Sequence, residues 1–112
     1  MNEITIKYKM FDSEKAFGYK QITTFYMDFG LAEPFGERAL KDTYVRCLDY
    51  AKTDYKYLTE LVLVLNWKIW EHYEAGNKQL ANFYDELWVK ADNYASKTLK
   101  GDELDYFLDK ID

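Results

Sequence analysis

Between Asp54 and Asn77 the chain carries apolar side chains around most of a helix's girth, and this stretch limits what the rest can be. Leu58, Leu61, Val62, Leu65, Ile69 and Tyr73 recur at helical spacing, while Leu63, Trp67 and Trp70 fall on other faces. A helix that is apolar nearly all round belongs at the centre of a domain, because no single neighbour can cover it. The run Leu61–Leu65 would also suit a buried strand, but the pattern continues without a turn signal for far longer than a strand does, so helix is the expectation. That run of five apolar residues is also far shorter than the ~20 a membrane helix needs.

The neighbours follow from the same periodicity. Asn77 is placed to cap a helix whose stripe is Leu80, Phe83, Tyr84, Leu87, Trp88, Ala91, Ala95 and Leu99, with Lys78, Asp85, Glu86, Lys90, Asp92 and Lys97 opposite. Gly101 follows Lys100 as a helix-ending glycine should. Asp102 then caps a short terminal helix through Asp109, with Leu104, Phe107, Leu108 and Ile111 on its inner face. Upstream, Asp28 can cap a short turn through Glu33. Pro34 suits the first position of a helix to about Lys52, with Leu40, Tyr44, Cys47, Leu48 and Ala51 inward. The core is expected around Leu61, Leu65, Ile69, Leu80, Leu87 and Trp88.

Before residue 28 the period changes. Ile4, Ile6, Tyr8 and Met10 alternate with Thr5, Lys7 and Lys9, which reads as a strand over 3–11. Asp12–Lys15 reads as the turn, and Tyr19–Phe25, rich in Thr and aromatics, as the returning strand. The expected fold is α+β, mainly α: an N-terminal β-hairpin (1–26) packed on a small helical bundle (28–112) of three main helices and two short ones. All 112 residues make one domain, the usual size for a single core.

Composition decides which functions survive. The net charge is −5, and the last twelve residues carry most of it, with Asp102, Glu103, Asp105, Asp109 and Asp112 against Lys110. Nucleic-acid binding depends on neutralising phosphates, so this balance argues against direct contact with DNA or RNA. Lys52, Lys56, Tyr55 and Tyr57 interleave basic and aromatic residues, but Asp49 and Asp54 sit among them and nothing extends the patch. Cys47 is the only cysteine, so no intrachain disulfide forms and a reducing cytoplasm is expected. The first residues have neither the basic nor the apolar region of a signal peptide, and no membrane association is expected.

Catalytic patterns are scarce. His72 is the only histidine, and one His with one Cys cannot make a usual zinc centre, so no metal and no cofactor is expected. Glu71 and Glu74 flank His72, but the paired Glu-x-x-His motif of a di-iron site is missing because residue 69 is Ile. His72 reads as a surface histidine near a helix C-terminus, where its charge is favourable. A Cys47–His72 nucleophile–base pair is the one enzymatic alternative, and the position of Cys47 on an apolar stripe argues for an inert thiol.

The stretch from Tyr57 to Tyr73, with Phe25–Phe29, Tyr84–Trp88 and Leu99–Phe107, resembles a family of short proteins carried by bacterial mobile elements and phages. The likeness spans most of residues 24–107, on packing positions. It implies an acidic inhibitor of a host nucleic-acid-binding defence enzyme, of the anti-CRISPR or anti-restriction type. The residues and the resemblance together suggest a non-catalytic module that binds a basic protein, with Asp102, Glu103, Asp105 and Asp109 as the contact surface. A homodimer that buries surplus aromatics of the central helix is the alternative.

Overall fold

The computed structural model describes residues 21–111. They form five α-helices: α1 (Ile22–Ala32), α2 (Glu37–Ala51), α3 (Tyr55–Glu74), α4 (Lys78–Thr98) and α5 (Gly101–Ile111), with a 3-10 turn, Glu33–Phe35, between α1 and α2. Among the described residues there is no strand.

This corrects the α+β expectation. The returning strand was placed over Tyr19–Phe25, and from Ile22 onward those residues are helical. Ile22, Thr23 and Thr24 are β-branched and favour strands by propensity, but propensity yields to burial. Ile22, Phe25, Tyr26, Phe29 and Ala32 lie on one face of a helix, and all five are buried. Asp28, expected as a cap, therefore sits in the middle of α1. The first strand, over 3–11, and the turn after it lie outside the described residues. Pro34 is the second residue of the 3-10 turn rather than the first of the long helix, and α2 starts after Gly36, whose φ of 94° is a conformation other residues rarely adopt.

α1 starts without help from its own side chains. Its first amides are satisfied from a distance: Glu60 of α3 accepts hydrogen bonds through Oε1 from Gln21 N at 2.7 Å and Ile22 N at 3.1 Å. A carboxylate there meets the positive end of the helix dipole. The caps expected for α3 and α4 are present, with Asp54 Oδ1 accepting from Lys56 N at 2.9 Å and Asn77 Oδ1 from Leu80 N at 3.2 Å.

α3 is the centre, touching α1, α2, α4 and α5. The short link at Ala75–Asn77 returns α4 antiparallel along α3. Leu61, Val62, Val64 and Leu65 are fully buried in one core cluster that includes Tyr84, Leu87, Ala91, Ala95 and Phe107. Of the six residues expected to centre the core, Leu61, Leu65 and Leu87 do so, while Ile69, Leu80 and Trp88 are only partly buried at its edge. Gly101 opens α5 with a φ of 58°, and Asp102 and Glu103 lie inside the first turn rather than before it. Among the described residues no helix is long and apolar enough to cross a membrane.

Candidate functional site: a buried ion-pair cluster and an acidic helix

The burial of α3 reaches Lys68, whose residue exposure is only 2%. An ammonium removed from water needs anions and hydrogen-bond acceptors around it. Lys68 Nζ lies 2.9 Å from Glu33 Oε2, in the 3-10 turn, and 3.0 Å from Glu71 Oε2, one turn along α3. It also sits 4.0 Å from the centroid of the Tyr26 ring, a cation–π contact from α1. The Tyr26 hydroxyl hydrogen-bonds Glu71 Oε1, and the Tyr84 hydroxyl donates to Glu33 Oε2 at 2.6 Å.

His72 completes the cluster. Its Nε2 is 3.0 Å from Glu33 Oε2 and 3.4 Å from Glu71 Oε2, and its ring stacks on Tyr84 at 5.5 Å with an 8° tilt. An ionised carboxylate only accepts, so Nε2 carries the hydrogen. Burial works to raise the Glu33 pKa. The His72 hydrogen bond, the Lys68 charge and the bonds from Tyr84 and Lys68 outweigh it and hold the pKa at about 2. Burial, with the Glu33 carboxylate beside it, pushes the Tyr84 phenol in the opposite direction, so Tyr84 remains a donor. The surface histidine expected from the sequence is thus a half-buried member of a network, with its side chain 12% exposed.

Glu33 Oε2, Glu71 Oε2 and His72 Nε2 lie within 4.8 Å of one another, a spacing that a divalent cation could use. The position between the two carboxylates is already taken by the Lys68 ammonium. A metal ion would have to sit against that charge, at a cost on the order of several kcal/mol. The donor set therefore fits a lysine better than a metal.

The thiol and the imidazole do not meet. Cys47 is buried and its Sγ lies 3.9 Å from Asp28 Oδ2, while His72 is engaged by Glu33 and Glu71. Burial and the Asp28 carboxylate push the Cys47 thiol up to about 12. The basic–aromatic stretch is likewise tied up internally. Tyr57 stacks on Tyr50 at 5.3 Å, Lys56 lies over Tyr55 and Tyr106 at 5.9 Å each, and Lys52 lies over Tyr94 at 5.0 Å.

On α5, Asp102, Asp105 and Asp109 share one face by helical spacing, while Glu103 borders the groove lined by Lys52, Tyr55 and Tyr94. Phe107 is fully buried against α3, and Tyr106 meets Tyr55 edge to face at 5.3 Å. With that side anchored, Asp102, Glu103, Asp105 and Asp109 are all exposed. Only Asp109 has an ion pair among the described residues, with Lys110 at 3.5 Å. Leu108, expected on the inner face, is instead exposed beside Asp105 and Asp109.

The sequence reading missed Glu33 and Lys68. Lys68, Glu71 and His72 share a helical face by spacing, but nothing local brings in Glu33, which is 39 residues from His72. No family model, curated protein or solved structure matches the chain.

Proposed function

We propose that the chain is a non-catalytic protein-binding module that offers the outer face of α5 to a basic partner. The observation that supports this is the exposure of Asp102, Asp105 and Asp109 on one face of a helix whose other side is anchored by Phe107, with Leu108 at one edge of that face and Glu103 exposed at the other. Asp102 and Glu103 also favour the helix N-terminus, by ~0.3–1 kcal/mol each. Asp109 lies near the opposite end, where the dipole disfavours it, and its ion pair is with the neighbouring Lys110. Such a face complements the phosphate-binding surface of a nucleic-acid-handling enzyme, the partner class the resemblance implies. A non-catalytic reading also agrees with a titratable cluster whose groups satisfy one another and a thiol held well above neutrality.

The test is affinity capture from host extract across a salt series, comparing the parent with Asp105→Asn/Asp109→Asn. Weaker, less salt-sensitive capture by the variant, with melting unchanged or slightly raised, supports the reading. Equal capture of the same protein at every salt concentration overturns it.

A further inference from the structure

α1 has an outer face with almost no charge. Asp28 is the only charged residue among its eleven. Met27, Leu31 and Phe35 follow one another at intervals of four, and they are 56%, 70% and 80% exposed. Leu31 and Phe35 border one open groove of about 460 Å³ between α1 and α2, with Ala39, Asp42 and Arg46 on its far side. Solvated helices ordinarily place charge on such a face. Three side chains this open leave roughly 400 Å² of apolar surface, given ~150–250 Å² for an aromatic residue. A standard interface needs about 800 Å² per partner, a little over half of it apolar. The stripe is the size of one such apolar centre.

We propose that this face joins two copies of the chain across a two-fold axis through Leu31. Met27 and Leu31, four apart on α1, form a ridge that Phe35 extends from the 3-10 turn, and two identical i±4 ridges interdigitate in the commonest helix-packing class, at about −50°. A two-fold contact uses the same patch on both subunits. With Leu31 on the axis, Met27 of one copy meets Phe35 of the other, a favourable thioether–ring contact. The single charge on α1 also matters for a chain of net charge −5. Beside the stripe, Asp28 and Asp42 of each copy are offset in part by Arg46, which lines the same groove. The acidic α5, which does not contact α1, is left open on each copy.

Sedimentation velocity of the full chain over a concentration series is the first test. The wild-type chain is expected to move from monomer to dimer in the micromolar range, and Leu31→Asp is expected to weaken that association at least tenfold with its helical circular dichroism retained. The second test is Leu31→Cys under mild oxidation. Helix axes 8–10 Å apart bring facing residues at a crossing within disulfide reach. Leu31→Cys should give a covalent dimer, and Val89→Cys, also exposed, should not. A wild-type monomer throughout, a Leu31→Asp dimer of parental affinity, or equal cross-linking at residue 89 each overturns the proposal.

Discussion

Lys68 Nζ and Glu33 Oε2 meet at 2.9 Å, joining the central helix to the three-residue turn at which α1 ends. The pair is shielded from water on the lysine side and shares Glu33 Oε2 with His72 and Tyr84. One carboxylate oxygen thus collects contacts from α3 and α4 and holds the turn against both helices. A pair of this kind adds little over an apolar replacement of the same shape, but breaking it from one side is costly, because the remaining charge stays buried.

Lys68→Met therefore leaves Glu33 and Glu71 facing each other without their cation. The expected loss is ~3–5 kcal/mol by urea denaturation. Glu33→Gln should be destabilising in its own right, and the double variant should lose clearly less than the sum, because the two residues share one interaction. A loss below ~1 kcal/mol for Lys68→Met would mean that water reaches the ammonium after all.

The depressed Glu33 pKa has a pH signature. Its folded value is about 2, below the 4.5 of an unperturbed Glu, so the unfolded chain binds the proton more readily. The stability from Glu33 is complete above about pH 4.5 and is lost as pH falls towards 2. Glu33→Gln should flatten this part of the stability–pH curve. Parent and variant curves running parallel between those limits would refute the assignment.

Cys47 is expected to be inert. With its thiol pushed up to about 12, roughly one molecule in 10⁵ carries a thiolate at neutral pH. Maleimide labelling of the native chain should be slow and should accelerate on denaturation. Fast labelling of the folded chain at pH 7 would restore the Cys47–His72 enzyme hypothesis.

The parts of this fold legible in the sequence were those set by period. α3 and α4 show themselves through long apolar stripes, and Asp54 and Asn77 cap them as their chemistry suggests. α1 was illegible because Ile22, Thr23 and Thr24 carry strand propensity, and the helical spacing of Phe25, Tyr26 and Phe29 decides only once α3 is there to bury it. Lys68 gave no sign of burial, since a lysine on a helix is usually solvated and its partner Glu33 lies on a distant turn. On α5 the sequence pattern shows Phe107 as an inward residue but not Leu108 as an exposed one, because in so short an amphipathic helix the apolar stripe is wider than the face that α3 covers.

Glu60 supplies the last prediction. It is nearly fully buried on α3, and its Oε1 accepts from the first two amides that lead into α1. Two neighbouring N–H groups at a helix start have no intrahelical partner, and a buried donor left unpaired costs ~1–3 kcal/mol. Glu60→Leu removes the acceptor and should destabilise the chain by at least that amount. Glu60→Gln keeps a carbonyl oxygen in place and gives up the interaction of the charge with the helix dipole, about 0.3–1 kcal/mol. The order Leu worse than Gln separates a capping role from a purely electrostatic one. Hydrogen exchange adds a local reading: the amides of Ile22–Phe25 should lose protection in Glu60→Leu while those of α4 keep theirs. Equal destabilisation by the two substitutions, or unchanged exchange at the start of α1, would show that the carboxylate does not hold this helix in place.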